Sequence, residues 1–132
     1  MQQNKSKFIR NHEDLEVYRI AFDAAMEIFK LSKNFPKEEK YSLTDQIRRS
    51  SRSVCANLAE AWRRRRYKGS FLLRLNDAEA ESAETQVWLK FAVKCHYLDT
   101  DIARKLYGQY NHILGLIVTM TNSADRWLLK PK

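Results

Sequence analysis

Residues that interrupt helices are scarce in this chain: its 132 residues include three glycines and two prolines. Glycine loosens the backbone and proline removes a hydrogen-bond donor, so both punctuate regular structure. Their scarcity predicts few, long helices. It argues against a β-rich fold, which needs many more turn residues. Apolar residues make up 44% of the chain, enough for one core in one domain and too many for a disordered chain.

The apolar spacing then places four helices. Helix 1 is expected over about 12–33, with Asn11 as N-cap and Glu13, Asp14 and Glu16 at its positive end. One stripe on it is Leu15, Tyr18, Phe22, Ala25, Met26 and Phe29. Val17, Ala21, Ala24, Ile28 and Leu31 form a second stripe beside it. One stripe serves a bundle core, and a second suggests another subunit. Pro36 disfavours helix at Phe35. Helix 2 is expected over about 42–66, capped by Ser42 or Thr44. Its apolar stripe is Leu43, Ile47, Val54, Leu58 and Ala61, interleaved with small residues that allow close helix approach. Helix 3, over about 70–96, follows Gly69 with Ser70 as cap. Helix 4, over about 100–129, follows Asp99 or Thr100. The expected fold is all-α: an antiparallel up-down-up-down four-helix bundle over residues 11–130. A flexible basic tail, 1–10, with Lys5, Lys7 and Arg10, precedes it.

The net charge of +8 points to an anionic partner or simply to solubility. It is unevenly spread. Residues 42–74 carry nine basic side chains against Asp45 and Glu60. Residues 77–101 carry six acidic side chains against Lys90 and Lys94. On a helix of about 100° per residue, Arg48, Arg52, Arg63 and Arg66 fall within roughly 60° of one another, about 130° from the apolar stripe. Arg64 and Lys68 extend this ridge. Arg49 and Arg65 complete the basic set, and Trp62 and Tyr67 flank "RRRR" where they could stack on bases. Three readings of the run stand side by side: a phosphate grip, a solvated helix end complementing the dipole, and a protein-docking site. Arg48, Arg49 and Arg52 could also pair with Glu79, Glu81 and Glu84. An antiparallel hairpin sets Glu79 to Glu84 beside roughly residues 51–58, leaving Arg63 to Arg66 without evident partners.

Catalytic signatures are lacking. There is no Gly-rich phosphate loop, no nucleophile elbow and no CxxC. His12, His96 and His112 have no second ligand three or four residues away. No metal, no cofactor and no enzymatic role are expected. Cys55 and Cys95 read as buried thiols in a reducing cytoplasm. The polar start, "MQQNKSKFIRN", lacks the apolar run of a signal peptide. No stretch approaches the roughly 20 apolar residues of a membrane span. A cytoplasmic protein is expected.

The segment "DLEVYRIAFDAAMEIFKLSKNFPKEEKYSLTDQIRRSSRSVCANLAEAW" resembles the four-helix bundle proteins of the bacterial 23S rRNA intervening-sequence family. Asp14, Leu15, Val17 and Tyr18 match the family's opening. Phe35 to Tyr41, Leu43 and Thr44 match its connector. Gln46 to Arg49, Ala56, Asn57, Ala59 and Glu60 match its second helix. Cys55 and Ala61 stand where the family often has proline and glycine, and both favour an unbroken helix 2. The resemblance implies ring-shaped homopentamers. It also implies kinship with the accessory protein of diversity-generating retroelements, a basic pentamer that works with a reverse transcriptase and its template RNA. The expected function is therefore a non-catalytic, oligomeric, basic bundle that binds nucleic acid, RNA rather than DNA, through the arginine ridge. The alternative is an accessory or protein-interaction subunit of a reverse transcriptase or other RNA-processing enzyme.

Overall fold

Asn11 sets the first boundary. Its side chain accepts a hydrogen bond from the Glu13 amide (2.8 Å), and Asp14 reaches back to the Asn11 amide in a capping box. The computed structural model describes residues 8–131. The tail expected over 1–10 lies outside the described residues as far as position 7. Only a 3₁₀ turn, His12–Asp14, follows the cap, because Leu15 is extended (φ −74°, ψ 132°). The first helix therefore begins four residues later than the cap suggests: α1 is Glu16–Ser32. A second 3₁₀ turn, Lys37–Glu39, follows Pro36. Then come α2 (Leu43–Arg63), α3 (Lys68–Lys94), α4 (Thr100–Asn122) and a short α5 (Ala124–Trp127).

Several ends differ from the expectation for physical reasons. Helix 2 stops at Arg63 rather than 66, because Arg64 leaves helical geometry (φ −102°, ψ 18°). Helix 3 starts at Lys68, so Gly69 and Ser70 lie in its first turn and neither caps it. Helix 4 breaks at Ser123, whose hydroxyl donates to the Thr119 carbonyl at 2.7 Å. The break turns Trp127 back toward α2. Ser42 precedes α2 but Glu39 does the capping, accepting from the Ser42 hydroxyl (2.6 Å) and the Leu43 amide (3.1 Å). Tyr97 donates to the other Glu39 oxygen at 2.9 Å. The Ser42 bond, with the Tyr97 and Leu43 bonds behind it, holds the Glu39 carboxyl below its ordinary pKa. Asp99 caps α4 through the amides of Asp101 and Ile102.

In the bundle, α2 packs on α1 and α3, and α4 on α3 and α1; among the described residues α1 and α3 are not adjacent, with no Cα atoms within 8 Å of each other. The core is built on Tyr110, Phe71, Ile28, Ile47, Leu58, Leu75 and Ile117, all below 2% exposure except Ile28 at 2%. The α2–α3 seam is made of small polar residues. Ser50, Ser82 and Thr85 are buried, and the Ser50 and Thr85 hydroxyls bond at 2.8 Å. Hydroxyls satisfied this way let two backbones approach without stranding a polar group. Along the seam, Arg49 meets Glu81 and Glu84, while Asn57 meets Arg74. The two glutamates thus sit just before the stretch of α2 expected for them.

Of the two stripes of α1, the second supplies most of the core face, joined by Leu15 and Ala25 of the first. Val17, Ala21, Ala24 and Ile28 face the core, while Phe22 and Met26 are 47% and 43% exposed. Small residues at Ala21 and Ala24 admit neighbouring helices more closely than phenylalanine or methionine would.

His96 ends α3 in the left-handed region (φ 64°), in a Schellman geometry: its amide bonds Val93 and the Tyr97 amide bonds Ala92. A residue with a Cβ is strained there. His96→Gly is expected to stabilise the fold by about 1 kcal/mol, read from a urea unfolding midpoint.

Candidate nucleic-acid interface

The four arginines do not continue a helix. Arg64 to Arg66 form the turn between α2 and α3, and they have different surroundings. Arg65 is pinned. Its guanidinium lies 3.4 Å from the Trp62 ring centroid and donates to the carbonyls of Trp62 (2.8 Å) and Trp127 (3.2 Å). Its own carbonyl accepts from the Leu129 amide at 3.0 Å. Burial, helped by the neighbouring Arg63 charge, lowers the Arg65 pKa from its ordinary value. Trp62 is 5% exposed and meets Trp127 edge to face at 6.3 Å. With one face under Arg65, Trp62 presents no surface to a base, contrary to the stacking role expected of it. Tyr67, 68% exposed, does.

Of the other cations in this stretch, Arg64 reaches Glu60 (3.7 Å) and the Ser70 hydroxyl (3.2 Å), and Lys68 reaches Asp125 (3.0 Å). Three of these positions therefore have partners that the sequence did not show. Arg63 and Arg66 are exposed and make no ion pair among the described residues. Arg49 is clamped by Glu81 and Glu84, bonds that raise its pKa further.

At the opposite end of α2, cations gather on one ring. Lys33, Arg48 and Arg52 lie 4.8, 4.9 and 5.6 Å from the Phe29 centroid. The Arg48 Nε donates to the Ser32 hydroxyl at 2.7 Å. None of the three has a carboxylate partner among the described residues. The ring's negative face and the carbonyl end of α1 both attract positive charge. Sequence reading found Arg48 and Arg52 but missed Phe29 and Lys33. Their signal was the four-residue spacing at the end of α1, hidden because Phe29 also completed an apolar stripe. Arg48, Arg52, Arg63 and Arg66 are thus two groups of cations rather than one continuous ridge. The exposed Ala56 lies between them.

Other chemistry is sparse. Among the described residues no three His, Cys, Asp or Glu side chains are placed to hold a metal ion. No described helix is long and apolar enough to cross a membrane. Cys55 is buried, and burial pushes its thiol to about 11, so it stays protonated at neutral pH. Cys95 is exposed, not buried as expected, because it caps the open end of α3. Asn57, Glu60, Glu84 and Gln86 do not form one buried network. Gln86 bonds the Tyr107 carbonyl and Asn111, while the two glutamates serve arginines at the surface.

No curated protein matches the chain. A solved structure from Bacteroides thetaiotaomicron, described as a protein of unknown function from the S23 ribosomal protein family, is similar in fold with a TM-score of 0.73. It shares 26% identity, over 80% of this chain and 95% of that one. The family model for the 23S rRNA-intervening sequence protein matches residues 13–119, from the capping turn to the last turn of α4. With that span of matching sequence and the same helical architecture, the chain belongs to the 23S rRNA-intervening sequence protein family.

Proposed function

We propose that this protein is a non-catalytic, basic, oligomeric bundle that binds nucleic acid, RNA in preference to DNA. The observation that carries this reading is the unpaired cation cluster of Lys33, Arg48 and Arg52 around Phe29. Like charges held this close attract a phosphate, which relieves their mutual repulsion. Arg63 and Arg66, beside the exposed Tyr67, form the second contact. Arg48 and Arg63 are fifteen residues apart, roughly 22 Å along the helix axis. A ligand spanning both is a polyanion rather than a single phosphate. Tyr67 supplies a stacking platform for an unpaired base, the kind of base that RNA loops and bulges present. Arg49, Arg64 and Lys68 can be recruited, because exposed ion pairs contribute only about 0–1 kcal/mol.

The oligomer in this reading is a homopentameric ring of antiparallel up-down-up-down bundles in the cytoplasm. Antiparallel order is supported by the α2–α3 pairings: Arg49 and Ser50, early in α2, meet Glu84 and Thr85, while Asn57, later in α2, meets Arg74, earlier in α3. A second copy is supported by the half-exposed Phe22 and Met26. In a ring, each weak phosphate contact is multiplied by avidity.

A specific observation favours a second reading, an accessory subunit of a reverse transcriptase or other RNA-processing enzyme. A cleft of about 420 Å³ is lined by Tyr41, Leu43, Trp88, Phe91 and Cys95, with Tyr41 and Phe91 well exposed. It could seat an apolar side chain of a protein partner.

Titration with structured RNA, duplex DNA and heparin at several salt concentrations separates the readings. The nucleic-acid reading expects RNA to bind most tightly and its affinity to fall steeply with salt. Binding to RNA no stronger than to heparin overturns it and leaves protein docking.

A further inference from the structure

We propose that the groove between α3 and α4 docks an acidic amphipathic helix of a different protein. The groove has a volume of about 310 Å³. Leu89 and Val93 of α3, with Ala103 and Tyr107 of α4, form its apolar floor. Lys90, Lys94 and Arg104 stand at its rim, and among the described residues no acidic side chain lines it. Lys90 reaches over from α3, its Nζ 5.7 Å from the Tyr107 ring centroid. Neither Lys90 nor Lys94 has an ion-pair partner among the described residues. The two acids at the start of α4 are already engaged. Asp99 accepts from the amides of Asp101 and Ile102, and Asp101 pairs with Arg104 at 3.3 Å. That pair is well exposed, so Arg104 can exchange it for another carboxylate at little cost.

This lining selects its occupant by two demands at once. The floor offers apolar surface, and the rim asks for carboxylates. A nucleic-acid strand would answer the cations with phosphates but leave the floor unfilled. An amphipathic helix with acidic flanks answers both. From Thr100 to Tyr107 the α4 wall runs roughly 10 Å, room for two apolar anchors one turn apart. Lys90 and Lys94, also one turn apart, meet acids on one flank of such a helix, and Arg104 meets them on the other.

The chain's own segments have the wrong charge for this role. Its first ten residues hold Lys5, Lys7 and Arg10 and no acid. Among its exposed aromatics, Phe8 and Tyr41 lie under Arg10 and Lys40, and Phe22 shares a cleft of mixed sign with Arg19. A second copy is therefore a poorer match than an acidic partner. The groove shares no residue with the cleft of Tyr41 and Phe91, and its role is independent of RNA binding by the arginine groups.

The probe is a labelled synthetic peptide of about 14 residues, with two leucines one turn apart and glutamates on both sides of them. Fluorescence anisotropy with the full chain should show binding. Leucine-to-serine changes in the peptide, or Lys90→Glu/Lys94→Glu in the protein, should each weaken it about tenfold or more. Both lysines are exposed, and melting curves confirm that the variant folds. A peptide with lysines in place of its glutamates should reverse the preference and bind the Lys90→Glu/Lys94→Glu protein better than wild type. No binding at up to about 1 mM protein overturns the proposal. Equal binding of the leucine-free peptide overturns it too, since charge attraction then accounts for everything. Structured RNA that displaces the peptide, and is itself weakened tenfold by the lysine changes, overturns it by making the groove part of the nucleic-acid face.

Discussion

An Arg48→Ser/Arg52→Ser/Arg63→Ser/Arg66→Ser variant is expected to flatten the slope of log K against log[salt] for structured RNA by about 3 units per protomer engaged. Each lost contact to a single-stranded phosphate removes about 0.7 of a unit. None of the four side chains has a carboxylate partner among the described residues. Their loss should therefore cost little stability beyond the Arg48–Ser32 hydrogen bond and the two contacts on the Phe29 ring. A matched Arg49→Ser/Arg64→Ser variant removes two arginines that already have glutamate partners, and should change the slope by less than half as much. Equal slopes in the wild type and the fourfold variant would reduce these arginines to solvated charge.

Trp62→Ala is expected to destabilise the fold by about 3–5 kcal/mol, as large-to-small changes at buried aromatic positions do. The midpoint of thermal unfolding should fall by roughly 10–20 °C for a domain of this size. Besides the cavity, the change removes the ring under Arg65 and the edge contact with Trp127. That frees the C-terminal segment which Leu129 ties to Arg65. A base-stacking role for Trp62 predicts the reverse: weaker RNA binding with unchanged stability. Measuring both quantities on this one variant separates the two roles.

The helical class and the number of long helices were legible because glycine and proline are so few and the apolar spacing so regular. The caps at Asn11 and Asp99 were legible for the same local reason: each acts within its own turn. The errors arose where a local signal met a distant partner. The end of α2 could not be placed at Arg63 without Trp127 and Leu129, which approach from more than sixty residues away. His96 gives no warning of a positive φ, since the position usually takes glycine. The wheel of α2 found Arg48 and Arg52, but only the packing of α1 against α2 brings Phe29 and Lys33 to them. On α1 both stripes were visible, and nothing local said that the alanines rather than Phe22 and Met26 would face inward.

The crowding of Lys33, Arg48 and Arg52 on one aromatic ring has a thermodynamic corollary. Electrolyte acts on this protein with two opposite signs. Raising ionic strength shortens the Debye length from about 10 Å at 0.1 M to about 3 Å at 1 M. That quiets the repulsion within the triad and so favours the folded chain. The same ions compete for the polyanion and release it. The conditions under which the empty protein is most robust are those in which it holds its ligand least, and a bound phosphate chain does at low salt what dissolved ions do at high salt.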